Sequence, residues 1–152
     1  MKEKLYNILM NDDVVKSIND NLDDLLSIIP ELKDMLGFEH KHPHHHLDVW
    51  NHTLLALSLS EKDFIIRLVL LLHDIGKPHS YQEGEVRHFK NHPTISAYMS
   101  FDILKRLDFN GSEINIITYL IKEHDNPIKD EEIITDKDLA LTKFKIQLCD
   151  AL

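Results

Sequence analysis

The fold is decided by residues 67–78, which read Arg-Leu-Val-Leu-Leu-Leu-His-Asp-Ile-Gly-Lys-Pro. The apolar run predicts a buried helix, and it ends abruptly in His73 and Asp74. Gly76 and Pro78 are typical of a helix end, so we expect the pair in the last helical turn. Ionisable side chains cost several kcal/mol to bury unpaired, so they require firm hydrogen bonds or a bound ion. A metal site explains this pattern most simply.

Composition predicts one helical domain. The chain has 152 residues, of which 43% are hydrophobic and 28% charged, enough for a substantial core. Only four glycines and 7% aromatic residues favour helix over sheet, and no segment shows the alternation of a strand. We therefore expect an all-α bundle over 1–152, in which a helical lead-in at 1–38 packs on a main body at about 43–152. Pro30 should break or restart the lead-in helices.

Charge and cysteine content narrow the functional classes. A formal charge of −9 argues against binding to duplex nucleic acid, although a local basic pocket can still hold a phosphate group. The single cysteine, Cys149, cannot form an internal disulfide. No apolar stretch reaches the roughly 20 residues of a membrane span, and no signal-peptide cleavage site follows the N-terminus. The sequence predicts a cytoplasmic protein and leaves its oligomeric state open.

Several local signals place further helices. Asp48 and Asp63 are predicted N-caps of helices that run to Leu59 and His73. Pro93 suits the first turn of a helix that should end near 107. Asn110-Gly111 predicts a turn before a helix that ends near 124, and a last helix should run from about 139 to 150.

Six residues with metal-ligating side chains lie on or at the edges of five predicted helices, with the His73-Asp74 pair on one of them. They are His52, His73, Asp74, His92, His124 and Asp150. Such a distribution suits a site in the core of a helical bundle. Imidazole nitrogen together with carboxylate oxygen favours a divalent transition metal, namely iron, manganese, nickel, cobalt or zinc. Six ligands exceed the needs of one tetrahedral ion and match two ions bridged by Asp74, although a single ion held by His52, His73, Asp74 and Asp150 stays open.

These residues resemble the HD-domain metal-dependent phosphohydrolases, whose signature is a His, an adjacent His-Asp pair and a distant Asp. The signature matches His52, the pair His73-Asp74, and Asp150. Residues 48–53 (DVWNHT), 71–78 (LLHDIGKP) and 88–93 (HFKNHP) look like the HD domain of bacterial CCA-adding tRNA nucleotidyltransferases. This resemblance covers about residue 43 to the end.

Other branches of that superfamily match in part. The Ile-Gly-Lys after the pair is similar to the cyclic-dinucleotide phosphodiesterases, whose two-metal centre would here be completed by His92 and His124. No Gly-Tyr-Pro motif follows, however. Alarmone hydrolases carry an acidic pair where this chain has residues 77–79 (KPH). No strand-borne nucleotidyltransferase head is found, so nucleotide addition is not expected.

The resemblance implies a metal-dependent phosphohydrolase that cleaves a phosphomonoester or phosphodiester of a nucleotide or another small phosphate by a metal-activated water. Lys77 would then clamp a phosphate oxygen or protonate the leaving group, although a solvated turn is an equal alternative. Asp74, or a histidine that does not bind the metal, is the candidate for positioning the attacking water. Arg87 and Lys90 are candidate substrate contacts, as is His46, which closes the histidine-rich loop 40–46.

Two other functions stay open. The metal pocket can belong to a non-catalytic nucleotide-binding or sensor module, or it can hold a purely structural ion. Lys77 favours the enzyme, because a structural ion is fully enclosed by its ligands and needs no nearby cation. Two residues have ordinary interpretations: we expect Arg67 at the surface or in an ion pair, and Cys149 as a small buried apolar side chain.

Overall fold

A computed structural model describes residues 1–43 and 45–152, and these ranges contain nine α-helices. The helices are α1 (Lys2–Leu9), α2 (Val14–Asp20), α3 (Leu22–Ile28), α4 (Val49–Ser58), α5 (Phe64–Leu72), α6 (His92–Arg106), α7 (Gly111–Lys122), α8 (Asp130–Thr135) and α9 (Lys137–Asp150). Short 3₁₀ helices lie at Pro30–Met35 and Lys77–His79. About 64% of the chain is helical and the described residues form no strand, which confirms the all-α prediction. His44 of the histidine-rich loop lies outside the described residues.

Helix α5 is the central element of the bundle. It packs against α1, α4, α7 and α9, and its residues 66–72 are all buried. The nearly continuous apolar sequence of α5 is explained by this position, because a helix with neighbours on every side has no solvent-facing stripe. The C-terminal end of α5 therefore delivers its next residues to the middle of the molecule.

Side-chain caps set the starts of the helices that surround the site. Asp48 and Asp63 accept hydrogen bonds from the backbone N–H groups of Asn51 and Ile66, at 2.7 and 2.9 Å, as predicted. Asn110 was expected in a turn, and it is in fact the N-cap of α7, where it forms a capping box with Glu113.

The end of α5 differs from the expectation in one detail. The helix ends at Leu72, so His73 is its C-cap and Asp74 lies in the turn that follows. Gly76 does not end the helix through a left-handed conformation, since its φ is −82°. A small residue is needed there for close packing instead: a Cβ at Gly76 would lie 2.7 Å from the backbone nitrogen of Ser96 on α6.

The lead-in shares one hydrophobic core with the rest of the bundle. Helices α1–α3 form the lead-in that the sequence predicts as helical, and the 3₁₀ helix after Ile29 begins at Pro30, where a break was expected. The expectation for Arg67 was wrong. Its side chain is buried and donates hydrogen bonds to the carbonyl oxygens of Leu9 and Asn11, between α1 and α2. A shared core is what we expect of a single domain over 1–152, which stays a prediction.

Helix α8 was not predicted. It contains no buried residue, so it lacks the apolar stripe by which the other helices were recognised. In the described part of the chain, no helix has both the length and the apolar character that crossing a bilayer requires.

Candidate metal centre

Three elements bring the first group of metal-ligating side chains together. His52 lies one turn into α4, His73 follows α5, and Asp150 is the last residue of α9. The Oδ1 atom of Asp150 lies 2.7 Å from Nε2 of His52 and 2.9 Å from Nε2 of His73. His73 is fully buried and His52 is 5% exposed, so the group lies inside the bundle.

Asp74 joins this group to a second one through its two carboxylate oxygens. Its Oδ2 lies 3.2 Å from Nε2 of His73, and its Oδ1 lies 3.3 Å from Nε2 of His92 and 3.8 Å from Nε2 of His124. His92 is the first residue of α6, and His124 follows the end of α7. Each oxygen of the buried Asp74 carboxylate therefore faces a different set of histidines.

The orientation of three imidazole rings is fixed by the backbone. The Nδ1–H groups of His73, His92 and His124 donate to carbonyl oxygens three positions earlier in the chain, at distances of 2.5 to 3.0 Å. With the proton on Nδ1, the lone pair of each neutral ring lies on Nε2. These three Nε2 atoms lie 3.2 to 3.8 Å from oxygens of the Asp74 carboxylate, so acceptors lie beside acceptors. A cation, either a proton or a metal ion, is required between them.

Ionisation within the metal-free chain follows from this crowding. Burial disfavours charge on His73, but the carboxylates of Asp74 and Asp150 outweigh it and raise its pKa well above the usual value. Burial likewise disfavours ionised Asp74, and the neighbouring charges of His73 and Lys77 nevertheless hold its pKa well below the usual range. Burial and the charge of His73 lower the pKa of His124. A proton on His73 thus occupies the place that a metal ion would take.

The donor atoms fit metal ions. One group of donors from His52, His73, Asp74 and Asp150, and another from Asp74, His92 and His124, each lie with all atoms within 4.8 Å of one another. Backbone carbonyls that accept from Nδ1 are the usual outer partners of metal-bound histidines, because they fix the tautomer. All six residues predicted from the sequence as ligands are therefore brought together, and Asp74 belongs to both groups.

Asp125 was missed by the sequence analysis. Its two carboxylate oxygens lie 3.4 Å from Nε2 of His92 and of His124, and its side chain is half exposed. Asp125 follows His124 directly in the chain, so it could have been predicted by treating the turn after α7 as part of the site.

Lys77 is buried rather than solvated, which excludes the solvated-turn interpretation. Its ammonium lies 3.2 Å from Oδ2 of Asp74 and donates to Nε2 of His40 at 2.9 Å. His40, also missed, donates from Nδ1 to the carbonyl oxygen of Leu47 at 2.7 Å. Burial and the charge of Lys77 lower the pKa of His40 to about 4, so its ring is neutral at physiological pH.

The remaining predicted substrate contacts lie at the edge of the site or away from it. His46 is exposed, and its neighbour His45 instead packs its ring against His52, with ring centroids 5.7 Å apart. Lys90 is exposed, two positions before His92. The Arg87 guanidinium packs on the rings of Phe38 and Tyr81 and pairs with Glu83, and these three residues lie outside both donor groups. Arg87 therefore contacts residues of the surrounding loop and not the candidate metal ligands.

The family follows from a comparison with known proteins. The profile of the HD domain matches residues 44–151, which is well over half of the chain. The chain belongs to the HD-domain family. HD domains bind divalent metals, and members of this superfamily are often metal-dependent phosphohydrolases. The resemblance seen in the sequence is thereby confirmed.

Two curated relatives show where similar HD regions occur. A protein of Deinococcus radiodurans named A-adding tRNA nucleotidyltransferase is 29% identical over 134 residues, which is 82% of this chain and 31% of that protein. A protein of Thermus thermophilus named CC-adding tRNA nucleotidyltransferase is 29% identical over 132 residues, which is 82% of this chain and 29% of that protein. The chain thus spans less than a third of the length of either relative.

Proposed function

We propose that this HD domain is a metal-dependent phosphohydrolase that cleaves a phosphomonoester or phosphodiester in a nucleotide or another small phosphate. One observation carries the proposal: the Nε2 atoms of His73, His92 and His124 face the carboxylate of Asp74, with their Nδ1 protons committed to backbone carbonyls. Such a set of acceptors around one carboxylate is suited to binding cations.

Two divalent transition-metal ions fit the donors, and iron, manganese, cobalt, nickel and zinc all suit a mixed nitrogen and oxygen set. His52, His73, Asp150 and Oδ2 of Asp74 would hold the first ion. His92, His124 and Oδ1 of Asp74 would hold the second. Asp125 is close enough to His92 and His124 to complete this second set. When bound, such ions supply an activated water and neutralise charge on phosphate oxygens.

The side chains around the donors supply the rest of the proposed chemistry. Lys77 would bind a phosphate oxygen through its ammonium, or donate a proton to the leaving oxygen, because it is fixed 3.2 Å from Asp74. Asp74 would accept a hydrogen bond from the attacking water and so orient it. Lys90 and His46, both exposed, are proposed as outer contacts to the substrate, and Arg87 would shape the loop that borders them.

Turnover by protein of defined metal content tests this proposal. The purified chain is stripped with a chelator, reloaded separately with manganese, iron, cobalt, nickel or zinc, and assayed with bis-nitrophenyl phosphate and a nucleotide panel. Transfer RNA is included because both relatives are named for it. We expect metal-dependent hydrolysis by the parent and none by Asp74→Ala. Tight nucleotide binding without turnover would instead show a sensor module. Metal binding without nucleotide binding and without turnover would show a structural site.

A further inference from the structure

His40 lies before the residues matched by the HD profile, yet it contacts the site. The profile begins at residue 44, whereas His40 belongs to the segment that connects the lead-in to α4. Its side chain is buried, with 1% of the residue exposed. Because both ring nitrogens of this buried histidine are hydrogen-bonded, its position is fixed by the fold.

The two hydrogen bonds of His40 have a fixed direction. Its Nδ1 lies 2.7 Å from the carbonyl oxygen of Leu47, which can only accept, so Nδ1 carries the proton. Its Nε2 lies 2.9 Å from the Lys77 ammonium, which can only donate, so Nε2 is the acceptor. The neighbouring rings hold the imidazole in this orientation: His45 stacks on it with centroids 4.1 Å apart, and Phe89 meets it edge-on at 5.8 Å.

Two acceptors therefore fix the Lys77 ammonium. One N–H group donates to His40, and the ammonium forms an ion pair with Oδ2 of Asp74, 3.2 Å away, and lies 5.4 Å from the centroid of the Phe89 ring. The ammonium has three N–H donors, so the donors that His40 does not use can serve a ligand oxygen. Without His40, the flexible lysine chain would be restrained by Asp74 alone, and its charge would neutralise that carboxylate instead of facing a phosphate.

We propose that His40 is a positioning residue that holds the Lys77 ammonium in place for a phosphate oxygen of the ligand. This inference rests on the proposed function for the identity of the ligand. With His40, the proposed functional site includes a residue of the loop that precedes the region matched by the HD profile. His40 itself is not expected to contact the metal ions or the substrate.

Binding of inorganic phosphate to the metal-loaded protein, measured by calorimetry, tests the inference without requiring turnover. We expect His40→Phe, which keeps a ring but loses both hydrogen bonds, to weaken phosphate binding by about tenfold. His40→Gln, whose amide oxygen can accept from Lys77, should recover most of the affinity. Metal content should match the parent in both variants. His79→Gln, a change at an exposed histidine two positions after Lys77, is the matched control and should bind phosphate as the parent does.

A double-mutant comparison separates positioning from a general structural effect. Lys77→Met should also weaken phosphate binding, and His40→Phe combined with Lys77→Met should weaken it no further, because His40 acts through Lys77. Parent-like phosphate affinity in His40→Phe would overturn the inference, and so would fully additive losses in the double variant. If His40→Phe does not fold, a failure of His40→Gln to bind more tightly than His40→Asn would overturn it equally. A parent that binds phosphate but hydrolyses no substrate would contradict the proposed function alone.

Discussion

The Oδ1 atom of Asp150 lies 2.7 Å from Nε2 of His52, although 98 positions separate the two residues. This contact joins the last residue of α9 to the first half of α4. The donor group of His52, His73, Asp74 and Asp150 is therefore assembled only when the C-terminal helix is docked on the bundle. Two hydrogen bonds from Gln147, to the carbonyl oxygens of His124 and Asn126, tie the same helix to the turn that carries the second group.

Replacing Asp150 by Asn should weaken binding of the first ion. The amide keeps the shape but removes the negative charge beside His52 and His73, so metal affinity should fall by more than about tenfold. A competition titration with a chromophoric chelator measures this. Asp138→Asn, at the exposed start of α9, should leave the affinity unchanged. Parent-like affinity in Asp150→Asn would show that Asp150 is no ligand.

The turn that carries Asp74 and Lys77 packs too closely on α6 to accept a side chain at Gly76. An added Cβ would lie 2.7 Å from the nitrogen of Ser96 and 2.8 Å from its Oγ. We expect Gly76→Ala to reduce the free energy of unfolding by about 1–3 kcal/mol, measured by urea denaturation. Gly111→Ala is the control, because nothing lies within 4 Å of its added Cβ, and it should be neutral or stabilising. Equal stability of the two variants would argue against this packing.

Arg67 should contribute more to stability than its charge suggests. Its Nη1 donates to the carbonyl oxygens of Leu9 and Asn11 at 2.7 and 2.8 Å, so Arg67→Met leaves both without this donor. We expect a loss of about 2 kcal/mol or more in the free energy of unfolding, measured by urea denaturation. Arg106→Met breaks a largely exposed pair with Glu31 and should cost about 1 kcal/mol or less. A smaller loss for Arg67→Met than for Arg106→Met would contradict the anchoring role.

The buried ammonium of Lys143 predicts a pH dependence of stability. A hydrogen bond from Lys143 and one from Tyr119 lower the pKa of Glu132 from 4.5 to about 2. Because the folded pKa is below the ordinary one, this stabilisation is complete above pH 4.5 and is lost as the pH falls toward 2. The stability difference between the parent and Glu132→Gln should therefore be largest near neutrality and shrink below pH 4.5. Urea unfolding across this range measures it.

Glu131→Gln, on the exposed side of the same short helix, provides the control for the pH experiment. Its stability relative to the parent should not follow the same curve. A difference for Glu132→Gln that stays constant from neutral pH to pH 2 would show that the contact with Lys143 does not persist in solution.

Periodic and capped segments were predictable from the sequence, and contacts made by loops were not. The apolar run of α5, the Asp48 and Asp63 caps, and the six candidate metal ligands on or next to five helices all follow local rules. His40 and His45 lie in a loop with no periodicity, so their direction depends on tertiary packing alone. The sequence for this reason favoured His46, one position away from the histidine that faces the cluster.

Arg67 and α8 show two different limits of predicting structure from local sequence patterns. A charged residue in an apolar helix predicts a surface position, unless backbone carbonyls from a distant segment satisfy it, as those of Leu9 and Asn11 do here. Helix α8 is anchored by the side chain of Glu132 and has no apolar stripe that could have revealed it.

The metal content of the purified protein tests the bridging role of Asp74 most directly. Element analysis by mass spectrometry should find two ions per chain in the metal-loaded parent, one in His124→Ala, and none retained in Asp74→Ala, because each oxygen of Asp74 faces a different donor group. Asp138→Asn should match the parent. A metal content in Asp74→Ala equal to that of the parent would contradict the account.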